Sequence, residues 1–293
     1  MRHCLIIDGY NLAYRAQYKF SLSTATGRKS SVAYGFIYIL SSMIKRFEPD
    51  QVHVVFDGGR AKFRTDLLPT YKAREDKLGE DKQAFYEQID DLEKYLPHLG
   101  IKVARSKGVE ADDTIGAIAL SVRGVKITIL SSDKDFMQLV SDKVRVFNPF
   151  KDTLITPKNI VKEYGFEAHE IVDWLTLKGD KSDHIPGVSG LGDKRIRALL
   201  DEFGSVEGFL DADPDTSFER YRDAIQEIAS RNFKLINLRY AAKVLYGFRR
   251  GKIIRFAITA GKFDEDKVRP FLGKYQLNKF RRDGFFETFK RLD

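Results

Sequence analysis

Cysteine is almost absent. Cys4 is the only one in 293 residues, so no intrachain disulfide can form, and a reducing cytoplasm fits the chain. The five histidines are scattered singly, without the close His or Cys pairs of a zinc site. No uninterrupted apolar run is long enough to cross a bilayer, and the opening MRHCLIIDG is too short for a signal peptide. These absences exclude a disulfide-stapled domain, a zinc module and a membrane span. What is present is ordinary for a soluble globular protein: 43% hydrophobic and 31% charged residues, with enough length for one large domain or two smaller ones.

The charge is uneven. Of a formal net charge of +8, residues 239–293 hold a surplus of nine, leaving the rest of the chain near neutral. The aromatic residues within KYQLNKFRRDGFFETFKR make this basic region suit a polyanion such as nucleic acid. A solvated amphipathic helix is the plain alternative.

Against that background, GVEADD (108–113) stands out, with three carboxylates in four positions ahead of the apolar run TIGAIALSV. Either it is a solvated helix start, where acids gain from the helix dipole, or something cationic sits there. The surrounding pattern favours the second reading. HCLIID (3–8), VHVVFD (52–57) and VKITILSSD (125–133) are short apolar runs, each reaching an aspartate at or after its end, and helical patterns such as 31–47 lie between them. Alternating strands and helices predict an α/β fold with a mostly parallel central sheet, whose ligands bind beyond the carboxyl ends of the strands. Asp8, Asp57 and Asp133 would converge there. One such aspartate is usually a helix cap; three at the corresponding place predict a site.

SSDKDFMQL adds Asp135 to Asp133, and LKGDKSDHIPG adds Asp180 and Asp183. With Glu110, Asp112 and Asp113, nine acids are candidates for one cluster. Without cations such a cluster would be prohibitively repulsive. Hard divalent ions with oxygen ligands resolve the repulsion, and two ions about 4 Å apart suit phosphodiester cleavage.

IIDGYNLAYR, VVFDGG, GVEADD, SSDKDFMQL and GDKSDHIPGVSGLGDKRIRALL, in this order, resemble the successive motifs of the 5′ nuclease family, from Leu5 to about Phe209 and more loosely beyond. That family includes flap endonucleases, bacteriophage 5′→3′ exonucleases and the 5′-nuclease domain of bacterial DNA polymerase I. The resemblance implies a PIN-like nuclease body. Around a first Mg²⁺ it implies Asp8, Asp57, Glu110 and Asp112; around a second, Asp133, Asp135 and Asp183. Asp113 and Asp180 match acids of the bacterial and phage branch, acting through water or a further ion. Mn²⁺ would substitute for Mg²⁺.

Two further segments gain meaning from the resemblance. PGVSGLGDKRIRALL (186–200) is a glycine-rich loop before a helical pattern, which alone is most often only a turn. A helix start with free N–H groups seats phosphate, helped by Lys194 and Arg195. Here it resembles the family's helix–three-turn–helix element, with Gly187, Gly190 and Gly192 at the DNA and the carbonyls of Val188 and Leu191 holding K⁺. The charged stretch 58–89 would otherwise pass for a solvated loop and helix. It resembles the family's helical arch, with Lys72 and Arg74 facing the scissile phosphate, although the chain reads YKAR where relatives often show YKxxR. Tyr10, Tyr14 and Tyr34 suit stacking on bases, with Tyr34 better placed for a core. His184, with no second nitrogen ligand nearby, reads as a turn residue.

The expected organisation is a metal-dependent nuclease body over 1–178, including the arch, with a duplex-binding and basic helical region over 179–293. The expected protein is a free-standing, monomeric, cytoplasmic 5′→3′ exonuclease and flap endonuclease. It would act on DNA with a 5′ flap, nick or 5′ end, and on RNA–DNA hybrids in primer removal beside a DNA polymerase. The rivals are a structure-specific DNA-binding protein that no longer cuts, and an RNA-processing PIN-like nuclease. Nine intact acids disfavour the first, because binding alone gains from losing negative charge near phosphate. The glycine loop disfavours the second.

Overall fold

Strand β1 (Arg2–Asp8) shows how the body is built. Its Cys4 and Ile6 enter one apolar core, while Leu5 and Ile7 enter another on the opposite face. A strand covered on both faces needs no polar alternation, so it reads as a continuous apolar run. The computed structural model describes residues 2–73, 78–213, 217–248, 258–281 and 284–292.

Parallel to β1 lie β2 (Gln51–Phe56), β3 (Lys102–Arg105), β4 (Val125–Leu130) and β5 (Val144–Asn148). Two antiparallel strands, β6 (Thr153–Ile155) and β7 (Ile258–Thr259), close the edges, giving the order β6-β5-β4-β1-β2-β3-β7. The expected mostly parallel sheet is present. Register levels the strand ends: Ile7 pairs with Leu130 and Asp8 with Val55. Asp57 directly follows β2, and Asp133 follows β4 by three residues, so these carboxylates reach one edge.

The helices in the first half are α1 (Gly9–Lys19), α2 (Ser31–Phe47), α3 (Lys62–Leu67), α4 (Lys82–Tyr95) and α5 (Ala111–Ser121). The second half adds α6 (Ile160–Tyr164), α7 (Ile171–Lys178), α8 (Asp193–Phe203), α9 (Val206–Asp211), α10 (Arg222–Ile236), α11 (Leu238–Tyr246), α12 (Glu265–Lys274) and α13 (Glu287–Lys290). Helices α5, α7, α8 and α10 pack on the Cys4 face; α1, α2, α4, α12 and α13 pack on the Leu5 face. Each fully buried Phe or Leu along these helices contributes about 1.5–3 kcal/mol.

The C-terminal part departs from expectation. Strand β7 joins the sheet beside β3, and Val268, Phe271, Leu272 and Phe289 fill the core under α1 and α2. The described residues of 258–281 and 284–292 therefore pack into the sheet and core of the body, rather than forming only a helical region laid on it. The aromatics of the basic stretch are core as well: Tyr275, Phe280, Phe285, Phe286 and Phe289 are all buried. Burying large rings outweighs any use of them as exposed stacking platforms.

Candidate active site

Each strand-end acid is first a local structural device. Asp8 caps α1, its Oδ1 accepting from the Asn11 N–H at 3.1 Å, while Oδ2 accepts from Ser131 Oγ at 3.0 Å. Asp57 Oδ1 accepts from the Ala111 N–H at the start of α5, at 2.9 Å. Asp133 caps the 3₁₀ turn Lys134–Leu139 through the Asp135 N–H at 3.0 Å. The capping bonds fix these carboxylates while leaving them at the wall of a cleft.

That cleft, of about 990 Å³, is lined by Asp8, Asp57, Glu110, Asp112, Asp133, Asp180 and Asp183, with Tyr10, Tyr14, Arg15, Arg60, Lys72, Arg105 and Lys134 among the remaining wall residues. Its charge cost is visible in the acids themselves. Burial and then Asp112 push Asp57 and Asp133 up to about 6. Burial pushes Glu110 up to about 7, against the pull of Lys72 and Arg64. Burial and neighbouring aspartates raise Asp8 and Asp135 well above the carboxylate range. Burial would also raise Asp112, but Lys72 and Arg64 outweigh it and hold that carboxyl low.

The donor set fits a hard divalent cation. Asp135, Asp180 and Asp183 each offer an oxygen, all within 4.8 Å of one another. Asp135 Oδ1 is buried with no hydrogen-bond partner. An anionic oxygen left so is costly, and an oxygen-seeking metal ion is the partner its surroundings suit.

Lys72 Nζ lies 3.4 Å from both Glu110 and Asp112 and 3.7 Å from Asp183. Its backbone φ is +47°, uncommon for a side-chain-bearing residue, and its N–H donates to the Asp183 carbonyl at 3.0 Å. The segment expected to form the arch is thus tied to the acids at Lys72. Arg74 lies outside the described residues.

Asp113 corrects the expected ligand set. It is fully buried, and both its oxygens accept from Arg64, at 2.6 and 2.7 Å. Helix α5 turns about 100° per residue, so the side chain after Asp112 points away from the cleft, and it serves as a counterion. The sequence reading passed over Arg64, Arg105 and Lys134. Lys134 pairs with Asp180 at 3.1 Å, and Arg105 donates to the Asp57 carbonyl at 2.9 Å. Lys134, set between two acids in SDKD, was the one with a visible signal.

The glycine loop divides by role. A Cβ on Gly187 would lie 2.1 Å from the Lys178 carbonyl oxygen, so glycine there permits close packing on the end of α7. Gly190 has a φ of +76°, which glycine tolerates. Gly192 has an ordinary φ of −83°, and a Cβ there would meet nothing within 4 Å. Lys194 and Arg195 are exposed at the start of α8, with Arg195 Nη1 donating to the Gly190 carbonyl at 2.7 Å. Val188 and Leu191 are buried, and the Leu191 N–H donates to the Val188 carbonyl at 3.2 Å. His184 sits in a turn at φ +58°, and Tyr34 packs on Phe20, Tyr38 and Phe280.

Comparison with known proteins fits this arrangement. The family model for the N-terminal resolvase-like domain of 5′-3′ exonucleases matches residues 3–165, and that for their C-terminal SAM fold matches 166–248. A 5′-3′ exonuclease of Aquifex aeolicus is 37% identical over 213 residues, covering 72% of this chain and 73% of that protein. The thermostable DNA polymerase I of Thermus filiformis is 39% identical over 211 residues, covering 71% of this chain but only 25% of the polymerase. The chain thus spans about a quarter of such polymerase relatives. Among solved structures, the zinc-bound bacteriophage T5 5′-exonuclease superimposes with a TM-score of 0.69 at 23% identity, over 82% of this chain and 91% of that one, a likeness of fold. From two matched family models in tandem and a relative alike over most of its own length, it follows that the chain belongs to the 5′-3′ exonuclease family and is a nuclease of that family.

Proposed function

We propose that the chain is a structure-specific 5′ nuclease, a flap endonuclease and 5′→3′ exonuclease, that hydrolyses DNA with two Mg²⁺ ions, with Mn²⁺ able to substitute. The single observation that carries this reading is the cleft itself, where seven carboxylates from five parts of the chain meet beside one arch lysine. Asp8, Asp57, Glu110 and Asp112 would hold one ion, and Asp133, Asp135, Asp180 and Asp183 the other. Bound divalent ions supply charge neutralisation, a lowered pKa for water and support for a leaving oxygen.

The chain's own groups supply the rest. Lys72, already over the acids, gives its ammonium to an oxygen of the scissile phosphate, and Arg74, outside the described residues, is the second cation of this reading. Ser131, Asn11 N–H and Ala111 N–H hold Asp8 and Asp57 in place, so little reorganisation is needed when substrate arrives. The open approach at Gly192, the N–H groups of α8, Lys194 and Arg195 seat a duplex phosphate. Residues 186–195 are the duplex-binding loop, and K⁺ would sit at the Val188 and Leu191 carbonyls.

The DNA polymerase I relatives and the T5 flap endonuclease solved as a product complex with DNA and metal ions support a role in replication and repair. That role includes removal of RNA primers, in the cytoplasm, by a monomer working beside a polymerase. No helix among the described residues is long and apolar enough to cross a membrane. The test is cleavage of labelled 5′-flap, nicked and single-stranded DNA and RNA, each with Mg²⁺ or with chelator. Metal-dependent cutting of flaps is expected; cutting at full rate after exhaustive chelation would end the metal mechanism, and cutting of RNA alone would favour the RNA-processing reading.

A further inference from the structure

We propose that Arg64, together with Tyr71, is a positioning residue that sets the metal affinity of Glu110. The inference rests on Glu110 being a metal ligand, as proposed above. Arg64 is 2% exposed and engaged along its whole guanidinium. Its Nε donates to the Leu235 carbonyl at 2.7 Å, Nη2 to Asp113 at 2.7 Å, and Nη1 to both Asp113 and Glu110 at 2.6 Å. Tyr71 OH donates to the same Glu110 oxygen, Oε2, at 3.1 Å. The other oxygen, Oε1, faces Lys72 in the cleft.

One oxygen of Glu110 is therefore clamped and one is presented. A carboxylate free to rotate would pair its presented oxygen with the wrong donor for part of the time, and a clamped one does not. The clamp also has a fixed base. Asp113 takes Arg64 in a fork that a lysine cannot reproduce, and Leu235 at the end of α10 holds the third donor. The role of the third acid in GVEADD follows: it orients the arginine that orients the first. Arg64, Tyr71 and Lys72 come from a single stretch of nine residues after Asp57, so the foot of the arch segment grips this ligand from three directions.

Removing Arg64 alone would strand a buried charge, so the informative variant neutralises both partners, Arg64→Met with Asp113→Leu. Mn²⁺ binding to DNA-free protein, read by electron paramagnetic resonance, is compared across wild type, this pair, Arg64→Lys, Tyr71→Phe and Glu110→Gln, with melting temperature measured on each. The pair and Arg64→Lys should bind Mn²⁺ about tenfold more weakly, and Tyr71→Phe a few-fold more weakly, while remaining folded. In a Glu110→Gln background the pair should cause no further loss, which a purely structural role would not produce. Folded variants that bind Mn²⁺ as wild type does would overturn the inference. Should the pair fail to fold, unchanged binding by both Tyr71→Phe and Arg64→Lys would do the same. If Glu110→Gln itself binds Mn²⁺ normally, the assignment of Glu110 as a ligand falls instead.

Discussion

At the scale of single residues, seven of the nine acids line the cleft, Asp135 sits beside Asp180 and Asp183, and Asp113 turns to Arg64. Asp133→Asn or Asp183→Asn should lower flap cleavage on the order of a hundredfold, about 2.7 kcal/mol of transition-state stabilisation, with DNA affinity nearly kept. Near wild-type cutting by either variant in saturating Mg²⁺ would refute the ligand assignment. The glycine loop gives a paired test. Gly192→Ala meets no atom and no backbone strain, so its melting temperature should match wild type, while its duplex dissociation constant rises about tenfold, or 1.4 kcal/mol. Gly187→Ala, driven into the Lys178 carbonyl, should instead lower melting temperature and activity on every substrate together. If Gly192→Ala bound duplex like wild type, its open face would not be a phosphate seat. The convergence of Asp8, Asp57 and Asp133 was legible from residue type and strand-end position, and the remaining acids from their close spacing and the ordered motifs. Arg64 was not, because its partners lie 46 and 49 residues away and no spacing rule links a buried arginine to them.

At the scale of elements, parallel register made the site readable. Strands buried on both faces announce themselves as apolar runs, so β1, β2 and β4 were found, whereas four-residue β3 and two-residue β7 carry too little pattern to stand out. The elements also concentrate charge at one edge, and this has a pH signature. Asp57 and Asp133 titrate near 6 and Glu110 near 7 when folded, against 3.8 and 4.5 as free side chains. The metal-free fold therefore holds more protons than the unfolded chain across this window. These three groups therefore make its stability fall as pH rises through that window. Metal ligation removes those protons, so the stabilisation by Mg²⁺ should grow over the same window. Melting in chelator and in Mg²⁺ from about pH 5.5 to 8 measures it; a Mg²⁺ increment that shrank as pH rose would contradict the raised acids.

At the scale of the whole molecule, net charge and fold act on different partners. With a net charge of +8 and seven acids gathered in one cleft, binding to flap DNA should weaken steeply with salt, by about 0.9 in log–log slope per phosphate neutralised. A flat plot would remove the electrostatic footprint. The basic C-terminal stretch was expected either to suit a polyanion or to be a solvated helix, and its rings are core instead, because composition cannot distinguish an exposed ring from a buried one.

The burial of those rings bears on how the chain is made. Helices α1 and α2 leave the ribosome well before α12 and α13, which complete their core some 220 residues later. At typical synthesis rates, that face stays unfinished for roughly 10–40 s, while the opposite core can already close. Nascent chains stalled after residue 248 should therefore be cut by protease within α1 and α2 but resist around α7 and α10, and chains that include α12 and α13 should resist at both. Equal protection in the stalled chain would show that the N-terminal face closes without its last helices.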